Sequence, residues 1–268
     1  MLGIKYFFSH SIFVAICAAA LCIQTCQIVN CYIDFWILFF VFSSVIISYN
    51  LYSLLGMVMP RPVVLKKITT DFPFRVFLII GGVIMVAVIL FVKPFLLTYF
   101  SLASVLTVLY FIPLFSIKNK GIMKTILLPL VWTIVTVLVP LIHSEAKFFS
   151  LFILFTLRFV FLLMIAVIFD VRDRQRDQLS HRKSMATLFN NQLLVLVMMG
   201  LLLGYGLVLI IGKAVMYNPQ HFFIMGLTGC LTFVVFLISL RPRGYYFYYF
   251  LADGLMLFSS IATFMVTI

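Results

Sequence analysis

Residues Phe169 to Ser184 read FDVRDRQRDQLSHRKS, and they interrupt a chain made mostly of Leu, Phe, Val and Ile. Three of the chain's seven acids stand here, at Asp170, Asp173 and Asp177, among Arg172, Arg174, Arg176, Arg182 and Lys183. Positions i, i+3 and i+7 share one face of a helix, so this spacing aligns the carboxylates. Like charges on one face repel by a few tenths of a kcal/mol per pair. A divalent cation removes that penalty, and oxygen ligands suit magnesium, which in turn shares its shell with phosphate. The competing reading is a solvated loop whose Asp and Arg residues pair with one another. Spacing alone leaves both open.

The surroundings set the solvent. The chain has 268 residues, 65% of them hydrophobic and 10% charged, with a mean hydropathy of +1.25. A water-soluble domain cannot bury that much apolar surface, so the expected fold is an all-α integral membrane bundle. A span needs about 20 mainly apolar residues. Nine stretches qualify: Ile12–Val29, Asp34–Leu55, Val76–Val92, Phe95–Leu114, Thr125–Ile142, Phe148–Phe169, Leu188–Ile211, Phe222–Leu240 and Tyr245–Ile268. Lys93-Pro94 reads as a tight turn between the third and fourth. The first stretch runs past its small residues Ala18-Ala19-Ala20 to Val29, too long for a signal-peptide core, and reads as a retained helix. No repeat or soluble region is visible, so residues 1–268 read as one membrane domain.

The net charge of +12 has a membrane explanation. With the N-terminus and alternate loops on one side, that side holds fifteen basic residues, while Lys93, Lys147 and Lys213 lie on the other. The positive-inside rule then places the N-terminus and the Asp170–Asp177 stretch in the cytoplasm and the C-terminus outside. Nucleic acid is not needed to account for the charge. The five cysteines, 17, 22, 26, 31 and 230, show no metal-binding spacing, and the three in the first apolar stretch read as small hydrophobes.

The pattern Asp170-Val-Arg-Asp173-Arg-Gln-Arg-Asp177 resembles the second aspartate-rich motif of UbiA-type intramembrane prenyltransferases. It falls between the sixth and seventh spans, and Ser184 stands where the family often has a small hydroxyl residue. LYFIPLFSIKNKGIMK looks like the family's segment after the fourth span and offers Tyr110, Lys118, Lys120 and Lys124. LLPLVWTIVTVLVP and LADGLMLF also look like distant members. The resemblance implies a helical bundle around a cavity, with Mg2+ and a prenyl diphosphate at the cytoplasmic face and a lipophilic acceptor. It implies Asp170, Asp173 and Asp177 as metal ligands, with Asn50, Arg61, Tyr110, Lys118 and Lys120 lining the substrate site. The chain departs from the family at its first motif, where YNLYSLLGMVMPRP keeps Asn50 and Arg61-Pro62 but carries Leu51, Leu54 and Val58 in place of carboxylates. The nearest remaining acid is Asp71.

Two charges fall inside spans, Arg158 and Asp253. Arg158 lies about 18 Å along a helix from Asp170, and Asp253 is about 12 Å deep from Tyr245. Similar depth and the cost of charge in lipid predict that they pair. Gln24, Gln27 and Asn190-Asn191-Gln192 read as helix–helix hydrogen-bonding residues. The four histidines show no ligand spacing, and GYYFYYF at 244–250 reads as an interfacial aromatic belt. Three functions compete: a Mg2+-dependent prenyltransferase, a prenyl-diphosphate-binding relative without catalysis, and an ion-coupled transporter relaying through Arg158 and Asp253.

Overall fold

The computed structural model describes residues 12–54, helical positions between 79 and 101, and residues 122–141, 144, 147–179, 183–216, 218–244 and 246–267; side chains 50–54, 124 and 215 fall outside that description. All regular structure among the described residues is helical. The elements are α1 (Ile12–Val29), α2 (Phe35–Leu54), α3 (Ile122–Thr133, continued by a π turn, Ile134–Leu138), α4 (Phe148–Leu179), α5 (Met185–Leu188), α6 (Asn191–Gly212), α7 (Pro219–Ser239) and α8 (a π turn, Phe247–Ala252, then Asp253–Thr267).

Five of these, α1, α4, α6, α7 and α8, are long and apolar enough to cross a membrane, and α2 and α3 carry shorter apolar runs. Seven of the nine expected stretches are therefore helices, with α1 ending where the sequence placed it. The other two, 76–92 and 95–114, lie largely outside the described residues. Trp36 of α2 stacks on Phe91 at 5.6 Å between ring centroids.

Local chemistry sets several ends. Asn190 accepts a hydrogen bond from the Leu193 N–H at 2.8 Å and caps α6. Asn218 does the same with Gln220 N–H at 2.9 Å for α7, where Pro219 occupies the first turn. Pro129 inside α3 has no N–H to give. Thr133 Oγ1 donates to its carbonyl at 2.7 Å, and the helix widens into the π turn immediately afterwards. At the end of α1 the chain turns through Asn30 with φ 54°. Asn30 N–H donates to Gln27 O at 3.3 Å and Cys31 N–H to Cys26 O at 2.9 Å, the two bonds of a Schellman cap.

α4 is the centre, packed by α3, α6 and α7. Leu157, Met164, Val167 and Ile168 are fully buried along it, while Leu196, Leu203 and Leu207 of α6 point outward. Exposed leucine, isoleucine and phenylalanine on the outer faces suit lipid as the solvent. α1 packs along α8 in the same direction: Phe13 stacks with Phe250 at 6.1 Å, Cys17 Sγ approaches Asp253 O at 3.5 Å, and Ser260 Oγ donates to Ala20 O. Gln24 Nε2 closes this seam, donating to Ser259 O at 3.1 Å, Ser259 Oγ at 2.7 Å and Thr263 Oγ1 at 2.9 Å. Gly229 of α7 lies flat against the Tyr205 ring, where a Cβ would approach within 2.9 Å. Tyr205 Oη then donates to Met225 O at 3.2 Å.

Candidate functional site

α4 has 32 residues, about 48 Å at 1.5 Å per residue, against a hydrocarbon layer of about 30 Å. The sequence ended this span at Phe169. The helix instead continues through Leu179, so the acidic stretch is helical and projects past the apolar part of the bundle. Its carboxylates fall within about 60° of one another around the axis, from 100° per residue. A free loop is therefore excluded for residues 169–179.

The three acids have different surroundings. Asp170 is 4% exposed. One oxygen accepts from Thr125 Oγ1 at the start of α3 and from the Met185 N–H at 3.2 Å at the start of α5. Asp173 is held by its neighbour: Arg172 Nε and Nη2 donate to its two oxygens at 2.8 and 3.0 Å. About a quarter of each side chain in that pair is exposed. Asp177 is buried on the same face as Asp170. Among the described residues no three His, Cys, Asp or Glu side chains form a group that could hold a metal ion. Magnesium at a phosphate site needs only one or two carboxylates, the phosphate oxygens and water completing the shell. Asp173 and Asp177, one turn apart, are of the right donor type for that smaller role, with Asp173 now paired to Arg172, and Asp170 joins three helices.

The arginines are structural as well as charged. Arg172 lies over the rings of Phe169, Tyr249 and Tyr248, at 4.7, 5.2 and 5.9 Å. Such stacking over aromatic faces suits guanidinium. Arg174 donates to Ala186 O at 2.7 Å, Asn191 Oδ1 at 2.6 Å and Phe189 O at 3.5 Å. It thereby ties α5 and the start of α6 back onto α4. Ser184 caps α5 reciprocally with Thr187, whose Oγ1 accepts the Ser184 N–H at 2.8 Å.

The structure does not join Arg158 to Asp253. Arg158, 5% exposed, donates through Nη2 to Leu21 O at 3.3 Å and Thr25 Oγ1 at 3.1 Å, both on α1. Its Nη1 has no partner among the described residues. Asp253 lies at the acidic end of α8, and the cation acting on it is Arg172. The depth estimate failed because it measured both residues from the same face without their azimuth: Arg158 looks at α1, and Asp253 opens the α-helical part of α8. The aromatic run is only half a belt. Tyr246 and Phe250 are exposed, but Tyr248 is buried against Arg172. His221, expected at a loop, is fully buried in α7, with Nε2 3.1 Å from Thr267 Oγ1.

Arg61, Tyr110, Lys118 and Lys120 lie outside the described residues, and Asn50 is placed only as the backbone of the last turns of α2. Sequence reasoning missed Thr125, Tyr249 and the α1 partners of Arg158. Thr125 carried a signal, the first hydroxyl after Lys124 at the start of a span.

No protein-family model matches the chain, and no curated protein matches it. A solved chain of digeranylgeranylglyceryl phosphate synthase in membranes does match in fold. The likeness covers 100% of this chain and 99% of that one, with a TM-score of 0.58 at 12% sequence identity. The shared fold and the apolar helices make this chain an integral, multi-pass membrane protein.

Proposed function

We propose that this chain binds a prenyl diphosphate at the membrane face carrying Asp170, Asp173 and Asp177, and transfers the prenyl group to a lipophilic acceptor. The observation that carries the reading is the overlong α4. In a bundle with the fold of digeranylgeranylglyceryl phosphate synthase, it delivers Asp173 and Asp177 on one face just beyond the apolar layer. That is where a ligand with an anionic head and an isoprenoid tail has to sit. The charge asymmetry puts this face in the cytoplasm.

In this reading Asp173 and Asp177 hold Mg2+ together with the diphosphate. The ion neutralises charge on the leaving diphosphate when bound. Arg61, Lys118 and Lys120 meet the remaining phosphate charge directly, and Asn50 and Tyr110 line the pocket. Arg172 sits beside Asp173 and trades that partner for phosphate as the ligand enters. Asp170 keeps Thr125 and Met185 in register, fixing the wall on which the pair stands. Apolar helix faces exclude water from the allylic carbon.

The reading without catalysis has its own support. Leu51, Leu54 and Val58 stand where a second carboxylate set belongs, so one metal position is stripped of its ligands. The transporter reading loses its relay, since Arg158 and Asp253 are not partners.

Purified protein titrated with a geranylgeranyl thiodiphosphate separates these. Binding that requires Mg2+ and is lost in Asp173→Asn supports the site. Absence of binding by wild type with Mg2+ present overturns it. Binding without prenylated product across an aromatic and isoprenoid acceptor panel selects the non-catalytic form.

A further inference from the structure

The membrane face opposite the aspartates carries a second chemistry. α1 starts at the acidic end, beside Phe250 and Asp253, so its C-terminal cap lies at the other end. There the Schellman turn through Asn30 joins the backbone of Cys31 to that of Cys26 at 2.9 Å. This motif brings the side chains of its C3 and C″ residues together. Both are cysteines here, and each thiol perturbs the other. Both are free thiols in the structure. Cys26 is 3% exposed while Cys31 is partly exposed.

We propose that Cys26 and Cys31 are a reversible dithiol–disulfide pair at the face opposite the aspartates. A disulfide needs Cα atoms about 4.4–6.8 Å apart, and a direct backbone hydrogen bond between the same two residues holds them in that neighbourhood. The charge asymmetry makes this the outer face, where disulfides form and persist. The geometry also assigns the order of events. Cys31 is the reachable thiol, and the neighbouring Cys26 lowers its pKa below the ordinary value, so its thiolate attacks first. With a small disulfide as oxidant, Cys31 sulfur bonds to one oxidant sulfur and releases the other as a thiolate. Cys26 then gives up its proton and attacks the Cys31 sulfur, releasing the second thiolate. The two protons leave with the two released thiols, and the two electrons reside in them.

The full-length chain is acid-quenched in its membrane, denatured, alkylated with N-ethylmaleimide and weighed intact, with and without prior reduction. Of the five cysteines, three take adducts without reduction and all five after it. Reduced protein exposed to oxidised glutathione returns to three. In Cys26→Ser and in Cys31→Ser the four remaining thiols are alkylated whether or not the sample is reduced. The proposal is overturned if wild type takes five adducts both as isolated and after oxidised glutathione. It is equally overturned if a two-thiol deficit survives in Cys31→Ser, which would place the bond elsewhere. Neither result bears on prenyl-diphosphate binding at the acidic end.

Discussion

The α1–α8 seam and the acidic end of α4 solve one problem with different materials. Along the seam the cross-helix bonds among the described residues are neutral: an amide, hydroxyls, a thiol and main-chain carbonyls join α1 to α8. At the acidic end, carboxylates and guanidiniums hold α3, α4, α5 and α6 together. The difference follows from solvent. In hydrocarbon a neutral donor needs only an acceptor, whereas a charge carries a cost of about 2.5–3.5 kcal/mol at a helix centre. Near water the charge is affordable and its hydrogen bonds are stronger. Arg158 is the exception that crosses between the regions, a cation solvated by a carbonyl and a hydroxyl.

The largest break in this comparison comes at Asp170. Asp170→Ala removes an acceptor from Thr125 and from the Met185 N–H, and hydrogen bonds to charged groups are worth about 1.5–3 kcal/mol each. We expect a loss of about 3 kcal/mol, read as a fall in detergent Tm, together with faster proteolysis of the 180–190 segment. Asp173→Asn should leave Tm almost unchanged, because its pair with Arg172 is partly exposed and worth about 1 kcal/mol or less. That contrast separates the structural acid from the binding acid. A Tm loss as large in Asp173→Asn as in Asp170→Ala breaks the distinction.

A smaller effect is expected in the seam. Gln24→Leu should cost about 1 kcal/mol, since membrane hydrogen bonds average about 0.6 kcal/mol and rarely exceed about 2. Thr263 keeps its own bond to Ser259 O, so little is left unsatisfied. The smallest effect is a coupling near zero between Arg158→Met and Asp253→Leu. Thermal melts of the single and double variants should add to within about 0.5 kcal/mol, as for residues sharing no partner. A coupling above 2 kcal/mol restores the ion pair and sinks the account of Arg158.

Element positions were legible because spans in lipid are written as long apolar runs, and α1, α2, α6, α7 and α8 fall within a few residues of their expected bounds. The apolar run of α4 ends at Phe169, where the sequence ended the span, and the helix carries the acids on through Arg, Gln and Asp to Leu179, a length that hydropathy alone does not give. The face shared by Asp170, Asp173 and Asp177 was readable from period alone. Their division of labour was not, because it depends on Thr125 and Met185, brought in from 45 and 15 residues away. Azimuth is likewise invisible in one sequence, which is why Arg158 was given the wrong partner. Cys26 and Cys31 were set aside on spacing, and the positive φ of Asn30 is what brings them together.

The seam between α1 and α8 also sets a clock on biogenesis. Gln24 meets its partners 235 residues later in the chain, which at synthesis rates of about 5–20 residues per second is roughly 12–50 s. Throughout that interval α1 is inserted with the Gln24 side-chain amide lacking the helix that satisfies it. α8 is therefore the helix that closes this seam, and a chain stalled before Phe247 leaves the Gln24 amide open to lipid.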